Sequence, residues 1–317
     1  MSVQIPIRMS LRTWLMLVAL SVLWGGSFLF NEIALREIPP LTLSMLRVVG
    51  AALVYWIFML ATNRSIPRDL HLWGAFLIMG ILNNAIPFSL IAFAQTEISG
   101  SLASIINSTA PLFVVVIAGV LLPDERMTLQ RIVSVIIGLM GVVVMIGPSA
   151  LSGIGSDVIA QCAMLGAAFF YALSAVYARR FKEIRLMPSA FITGQVTMSS
   201  LVLIPTALYF DRSFEIGFPS IEVVAAVSGV SLLSTALAYV LYFRILSLAG
   251  ATNTMLVAFL IPVSAILLGV SILDESLTLI QVVGMALIAL GLALMNSQTH
   301  PTPVSYTHLT LPTTPYV

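Results

Sequence analysis

The chain has 317 residues, of which 59% are hydrophobic and only 9% are charged. Soluble domains carry about 25% charged residues, so this composition excludes a water-soluble enzyme. A net charge of +1 without a basic patch argues against nucleic acid as a partner. A membrane-spanning helix takes about 20 apolar residues, and the chain has room for about ten such helices. We therefore predict an integral membrane protein that is partnered by the lipid bilayer.

The residue types that catalytic and metal sites use most are scarce. The single cysteine, Cys162, excludes an intramolecular disulfide and any site built from several thiolates. Because Cys162 lies in an apolar stretch, we expect a buried and inert thiol. Of the three histidines, only His71 lies in the body of the chain and the others lie in the C-terminal tail. We predict no catalytic residue, no metal site and no cofactor.

In chain order, hydropathy divides the sequence into ten apolar segments joined by short connections that carry turn residues and charges. We predict an all-α integral membrane fold with ten transmembrane helices. The segments cover residues 14–31, 41–61, 71–94, 101–122, 130–147, 157–178, 189–210, 222–243, 251–273 and 278–296.

Lysine and arginine are unevenly distributed between the two sides of the membrane. If the N-terminus lies inside, eleven of these residues fall in inner loops and two, Arg36 and Arg212, in outer loops, while Arg47 falls within the second segment. Positively charged loops stay in the cytoplasm, so we predict cytoplasmic termini and a bacterial-type inner (plasma) membrane location. The inner residues are Arg8, Arg12, Arg64, Arg68, Arg126, Arg131, Arg179, Arg180, Lys182, Arg185 and Arg244.

The two halves of the chain repeat one another. Residues 119–147 align without a gap with residues 269–297 at an offset of 150, and both share the string G-V-x-x-x-D-E-x-x-T. With a shift of one residue the match extends upstream. There Pro111 pairs with Pro262, Phe88 with Tyr239, and Asn83-Asn84-Ala85 with Ser234-Thr235-Ala236.

This repeat predicts a duplication of five segments. Because five is an odd number, the second copy enters the membrane in the opposite direction, which is typical of secondary transporters. The predicted parts are a cytoplasmic N-terminus (1–13), a first five-helix repeat (14–147), a second, inverted five-helix repeat (157–296) and a disordered or non-native tail (297–317) without function.

Both copies carry short motifs in a fixed order. The motifs are Trp24-Gly25-Gly26-Ser27-Phe28, Pro39-Pro40, Leu46-Arg47, Pro111 and Gly119 to Thr128 in the first copy, and Tyr171-Ala172-Leu173-Ser174, Pro262 and Gly269 to Thr278 in the second. In these motifs the sequence resembles the EamA family of the drug/metabolite transporter superfamily over residues 12–296. The resemblance implies ten helices in two inverted five-helix domains around a central substrate cavity. It also implies export of amino acids and other small metabolites.

Charged residues are nearly absent from the predicted spans. Arg47 could bind a substrate carboxylate, but we favour a structural role in which it snorkels to the interface or caps helix-end carbonyls. Glu32 lies only at the far end of the first segment. The small multidrug exporters of the same superfamily use a buried glutamate in that segment, so proton-coupled export of cationic drugs is disfavoured. Protons are therefore the least supported energy source.

Neutral polar and aromatic residues form the predicted substrate site. Polar groups inside a membrane need a partner, which is either another helix or a substrate. Proline-interrupted helices at matching positions of two repeats are the best pointer to a binding site. As single residues these groups could serve only as hydrogen bonds between helices, but as a set we expect them to line a cavity. The candidates are Trp24, Asn83, Asn84, Asn107, Tyr171, Ser234, Tyr239 and Tyr242.

The repeated Asp-Glu-x-x-Thr string precedes a new segment in each half. We expect Thr128 and Thr278 to cap these segments, with the preceding acids favoured by the helix dipole. We favour helix capping and gating contacts for this string over a substrate or metal site. Four glycines are predicted to permit close helix packing. They are Gly25, Gly26, Gly119 and Gly269.

The sequence thus predicts an alternating-access carrier that exports small metabolites such as amino acids. It is expected to act as a monomer or homodimer on a small-molecule substrate. Within the same fold, drugs, nucleosides or sugars are alternative cargoes. A polytopic lipid-modifying enzyme is an alternative of another class, but it would need an embedded pair of Asp, Glu or His residues. A partner protein without transport activity is a third possibility.

Overall fold

A computed structural model describes residues 10–122, 128–146, 156–182, 184, 186–215 and 217–296. All regular elements of this part of the chain are helical. Seven helices are long and apolar enough to cross a membrane, and three shorter apolar helices cover Leu129–Val144, Val257–Leu273 and Leu279–Leu294. The all-helical prediction is confirmed for the described residues, although seven helices rather than ten have the length of a full span. The long ones cover Leu11–Ala34, Pro40–Ala61, Leu70–Ala94, Gly100–Leu121, Asp157–Phe181, Pro188–Phe210 and Ile221–Gly250.

Several predicted segments are built from more than one helix. The α-helices are α1 (Leu11–Ala34), α2 (Pro40–Ala61), α3 (Leu70–Gly80), α4 (Ile86–Ala94), α5 (Gly100–Asn107), α6 (Ala110–Leu121), α7 (Leu129–Ile146), α8 (Ser156–Ala178), α9 (Pro188–Phe210), α10 (Ile221–Ser228), α11 (Ala238–Thr254), α12 (Val257–Leu273) and α13 (Leu279–Asn296). Short 3₁₀ turns cover Arg179–Lys182 and Ser213–Glu215.

Two π-helices interrupt the third and eighth segments at equivalent positions. The first π-helix, Ile81–Ala85, contains Asn83 and Asn84, and the second π-helix, Gly229–Leu237, contains Ser234 and Thr235. Such short π-helices are frequent at functional sites because the wider turn redirects side chains and backbone groups. Both interruptions therefore lie at the polar residues that the repeat had paired.

The fourth and ninth segments are also broken. In the fourth, α5 ends at Asn107, and Pro111 lies in the first turn of α6. In the ninth, the chain turns at Gly250, whose φ of 77° suits a residue without a Cβ, and α12 begins only at Val257. Pro262 lies inside α12, so here the break precedes the proline by several residues.

The helices pack in pairs that join the two halves of the chain. α1 packs on α12 and α8 on α6, while α2 packs on α9 and α7 on α13. Exchanging the halves maps these pairs onto one another.

One glycine explains the closeness of the first of these pairs. A Cβ added at Gly25 would collide with Ser264 and lie 2.9 Å from the backbone nitrogen of Ala265, whereas one at Gly26 would make only ordinary contacts. The packing role predicted for Gly25 is confirmed, and Gly26 does not share it.

The threonines of the repeated string cap helices as predicted. Thr278 Oγ1 accepts from the backbone N–H of Gln281 at 3.3 Å, and Gln281 Oε1 accepts from the N–H of Thr278 at 2.9 Å. At the start of α7, Thr128 Oγ1 accepts from the N–H of Arg131 at 3.3 Å. Each cap satisfies a backbone donor that the helix itself leaves without a partner.

The acids of the second string lie between α12 and α13. Asp274 ends α12 in the left-handed conformation, with φ of 55°, and the N–H of Glu275 then donates to the carbonyl of Gly269 at 3.2 Å. The Glu275 carboxylate accepts from the N–H of Ser101 at 3.1 Å, so it lies at the start of α5. This contact joins the second half of the chain to a helix of the first half. Asp124 and Glu125 lie outside the described residues.

The prediction of a buried thiol at Cys162 is also wrong, because its side chain is exposed on the surface of α8. In a membrane protein an apolar sequence stretch can face lipid as readily as it faces the protein core. Apolar surroundings therefore did not imply burial.

Candidate substrate-binding site

A network of polar side chains joins the two halves of the chain at the π-helices. Asn83 Nδ2 donates to the Tyr239 hydroxyl at 3.0 Å, and its Oδ1 accepts from Ser174 Oγ at 3.0 Å. Gln195 Nε2 donates to Asn84 Oδ1 at 2.8 Å and to the Tyr239 hydroxyl at 3.1 Å. We call these five residues the amide network. It draws on the first π-helix, α8, α9 and α11.

A close approach of two helices brings Gln195 to the first π-helix. Ser199 Oγ of α9 donates to the backbone carbonyl of Gly80 at 3.1 Å. A Cβ at Gly80 would lie 2.8 Å from the carbonyl oxygen of Gln195. The missing side chain therefore lets α9 lie directly against the end of α3, where the π-helix begins. This contact places Gln195 beside Asn84, which is completely buried.

Arg47 of α2 lies on the other side of the same region. Its Nε donates to Thr235 Oγ1 in the second π-helix at 2.9 Å, and its guanidinium carbon lies 3.7 Å from the ring centroid of Phe88. Only 6% of the residue is exposed. Among the described residues no carboxylate lies within ion-pair distance of Arg47. The expectation that it snorkels to the interface is wrong, because Thr235 and Phe88 hold it inside the protein.

The contacts of Arg47 and Gln195 are equivalent by the internal repeat. Arg47 reaches from α2 to Thr235 in the second π-helix, and Gln195 reaches from α9 to Asn84 in the first. The repeat pairs Thr235 with Asn84, so a side chain from each half hydrogen-bonds to the π-helix of the other half. We call these two hydrogen bonds the inter-repeat contacts. The contact made by Arg47 carries a positive charge, and the contact made by Gln195 is neutral.

Several buried polar atoms of this region have no hydrogen-bond partner within the described part of the chain. They include Nδ2 of Asn84, Oε1 of Gln195 and Oγ of Ser234, which directly precedes Thr235. A buried polar atom without a partner costs about 1–3 kcal/mol, and most such atoms in native proteins are satisfied. Two donors and one acceptor without partners, close to a buried guanidinium, are the features of a binding site for a polar ligand.

A pocket of about 280 Å³ opens beside the start of α2. Met45 lines this pocket and also packs against the cluster that contains Phe88 and Val48. Met45 therefore contacts both the pocket and the apolar cluster to which the ring beneath Arg47 belongs.

The structure gathers some of the predicted site residues and leaves others apart. Asn83, Asn84 and Tyr239 share the amide network, and Ser234 adjoins Thr235. Tyr171 packs against the same cluster as Phe88, and its backbone carbonyl accepts from Ser174.

Three predicted residues lie away from this region. Trp24 and Tyr242 pair with each other, with ring centroids 5.6 Å apart, and pack among apolar residues of α1 and α11. Asn107 ends α5, and its Oδ1 is buried without a partner. None of the three shares a hydrogen bond with the amide network among the described residues.

Sequence reasoning missed Gln195 and Ser174 as members of the site. Gln195 is the only amide side chain in the predicted segment 189–210. Since an isolated amide in an apolar span needs a partner, that pattern alone could have identified it. Ser174 was noted only as part of a motif, and nothing in its spacing distinguishes it from other small helix residues.

Comparison with known proteins places the chain among transporters. The EamA-like transporter family matches residues 11–147 and again residues 158–297. An uncharacterized transporter of Archaeoglobus fulgidus is 24% identical over 282 residues, which cover 89% of this chain and 98% of the relative. The uncharacterized transporter YoaV of Bacillus subtilis is 24% identical over 87% of this chain and 94% of its own length.

Two further matches agree in location and fold. The uncharacterized inner membrane transporter YedA of Escherichia coli K12 is 25% identical over 88% of this chain and 89% of its own length. A solved crystal structure that is 21% identical superposes with a TM-score of 0.63, covering 90% of this chain and 96% of its own. This protein is a multi-pass membrane protein and belongs to the EamA-like transporter family.

Proposed function

We propose that the protein is an alternating-access carrier for small metabolites that bear a carboxylate, with amino acids as the first class to test. Arg47 is the observation that carries this proposal. A buried guanidinium without an acidic partner among the described residues is expensive in a membrane. A cargo carboxylate would supply the missing negative charge.

The side chains around Arg47 suit such a ligand. Thr235 accepts a hydrogen bond from its Nε, and the ring of Phe88 lies against the plane of the guanidinium. The two terminal guanidinium nitrogens can therefore bind a carboxylate through two parallel hydrogen bonds. Asn84 Nδ2 and Ser234 Oγ are further donors without partners among the residues that the structure describes, and Gln195 Oε1, likewise without a donor there, could accept from an ammonium group.

For the topology we propose that the three shorter apolar helices also cross the membrane, which gives ten spans. These would form two inverted five-helix repeats over residues 14–147 and 157–296, with both termini in the cytoplasm. The exchange symmetry of the helix pairs supports this arrangement. The two inter-repeat contacts, Arg47 to Thr235 and Gln195 to Asn84, would then break alternately as the carrier exports its cargo. Inverted repeats provide such alternation in secondary transporters.

Counterflow in proteoliposomes tests the proposal. Vesicles are loaded with a mixed pool of unlabelled amino acids and diluted into traces of labelled ones, without a pH gradient. Transient accumulation of a label, absent from empty vesicles, is the expected result and identifies the cargo. If no amino acid accumulates but a nucleoside, sugar or drug does, the cargo class is wrong. If nothing exchanges and lipids are chemically altered instead, a membrane enzyme replaces the carrier.

A further inference from the structure

Two carboxyl groups from opposite halves of the chain meet at the start of α5. Glu32 Oε2, from the end of α1, accepts from the backbone N–H of Gly100 at 2.9 Å. Glu275 Oε2, from the connection between α12 and α13, accepts from the N–H of Ser101 at 3.1 Å. Because Gly100 and Ser101 are adjacent in the chain, these two bonds bring the two carboxyl groups together over the first turn of α5. We call Glu32 and Glu275 the carboxyl pair.

The local backbone is built to bring Glu275 into this position. Asp274 adopts the left-handed conformation at the end of α12, and the N–H of Glu275 then donates to the carbonyl of Gly269 at 3.2 Å. This turn folds the Glu275 side chain back over α12. A Cβ at Gly269 would lie 2.7 Å from Glu275 Oε2 and also 2.7 Å from Ser101 Oγ. The glycine therefore leaves the space that the carboxyl group and the hydroxyl occupy.

A buried hydroxyl adjoins the carboxyl pair. Ser101 is only 1% exposed, and its Oγ has no hydrogen-bond partner among the described residues although it lies beside the Glu275 carboxylate. Asn31 is 2% exposed; its Nδ2 donates to Gln95 Oε1 at 3.0 Å, while its Oδ1 has no partner. The Ser101 hydroxyl, which can donate or accept, therefore adds a buried polar group to the two carboxyl groups. The site therefore has capacity for a bound positive species.

The charged groups around the carboxyl pair determine its ionisation. Two ionised carboxylates held on adjacent N–H groups repel each other, and a proton shared between them removes that repulsion. The N-terminus of α5 stabilises the negative charge that remains. Arg36 is the neighbouring cation whose charge acts on Glu32. The elements packed on the pair, α5 and α12, carry no charged residue. Asp274 and Glu97 are the acids in the connections next to these two helices. The described acids farther away at this end of the protein are Glu37, Asp211, Glu215 and Glu222.

We infer that Glu32 and Glu275 form a proton-binding site that joins the two halves of the protein at the end of α1. When the shared proton leaves, two negative charges face each other across the start of α5. The connection between α12 and α13 then separates from α1, and this end of the carrier opens. The site would thus couple proton binding to opening. It stands independently of the proposed cargo, since it contains none of the residues around Arg47.

The test measures proton binding directly on the purified full-length protein. Thermal unfolding is followed between about pH 5 and about pH 8 for the wild type, Glu32→Gln, Glu275→Gln and the control Glu97→Gln. Glu97 is an exposed glutamate at the same end of the protein. Unfolded glutamates, with an ordinary pKa of about 4.3, are already largely ionised at the lower end of this range. Because the folded pair still holds a proton there and releases it as the pH rises, the Tm of the wild type falls as pH rises. Glutamine donates an N–H in place of that proton, so both pair variants flatten the fall, whereas Glu97→Gln keeps the wild-type slope.

Infrared difference spectra provide a second readout that does not depend on the variants. A band of a protonated carboxyl group should disappear as the pH rises in the wild type and in Glu97→Gln, and it should be missing from both pair variants. A wild type without such a band overturns the inference. So does a wild-type slope that persists in both pair variants. Exchange of choline for sodium at constant ionic strength should leave Tm unchanged, and a sodium-dependent shift would assign the site to sodium instead.

Discussion

Replacing Arg47 with methionine removes the buried guanidinium but keeps a long, flexible side chain. The variant loses the Nε bond to Thr235 and the contact with the Phe88 ring. These are worth about 0.5–1.5 kcal/mol and about 0.5–2 kcal/mol. Thr235 is not left without a partner, because its hydroxyl also donates to the carbonyl of Val230 at 2.8 Å.

The variant also removes the cost of a charge inside the membrane. That cost is about 2.5–3.5 kcal/mol for an arginine at the centre of a spanning helix, which is similar to the sum of the lost contacts. We therefore expect Tm to stay within about 5 °C of the wild-type value. Cargo binding should suffer far more. The loss of a bidentate, charge-assisted contact costs about 3 kcal/mol or more, which corresponds to a KM for carboxylate cargo raised at least about 100-fold.

Unfolding in detergent and counterflow in proteoliposomes measure these two effects separately. Arg64→Met is the matched control, because Arg64 also lies over a phenylalanine ring, 5.2 Å from the centroid of Phe58, but is exposed. It should leave KM unchanged. A large fall in Tm for Arg47→Met, together with an unchanged KM in the folded fraction, would show that Arg47 is a structural tie and would refute the reasoning.

Three further predictions concern packing, the amide network and pH. Gly25→Ala should lower the free energy of unfolding by about 1–3 kcal/mol because of overpacking. The control Gly74→Ala, with no described atom within 4 Å of the added Cβ, should not. Equal Tm values for the two variants in thermal melts would contradict this. Gln195→Leu removes two hydrogen bonds and should cost about 1–2 kcal/mol and slow counterflow; an unaltered Tm and rate would refute its role. The hydroxyl and N–H of Ser220 hold the pKa of the exposed Glu37 carboxyl below its usual value. This contribution to stability is present above the unfolded pKa and lost as pH falls through the folded one. Glu37→Gln should therefore lower Tm near pH 7 but not near pH 3, and a difference that persists in acid would contradict this.

Much of the architecture could be predicted from the sequence, because apolar length and helix caps are local properties. The ends of α1, α2 and α9 lie within a few residues of the predicted segments. The capping threonines behave as their spacing indicates. The repeat also pairs the polar residues that lie in the two π-helices, although it does not predict the π-helical geometry itself.

The side-chain partners could not be predicted in the same way. Whether Arg47 snorkels or points inward depends on the rotation of α2 against the second π-helix, which no local pattern encodes. Glu32 and Glu275 come from opposite ends of the sequence, and their meeting depends on a left-handed residue at Asp274. The exposure of Cys162 could not be predicted either, because hydropathy does not distinguish a side chain that faces lipid from one in the protein interior.

The most direct test of the proposed carboxylate recognition compares an amino acid with its own carboxamide. Proteoliposomes that hold the wild-type protein exchange a labelled amino acid in counterflow without a pH gradient, and each unlabelled compound is added outside as a competitor. The account predicts that the amino acid abolishes accumulation of the label, while the carboxamide, which lacks the negative charge, does not. Equal competition by the two compounds would show that Arg47 does not select a carboxylate and would contradict the account.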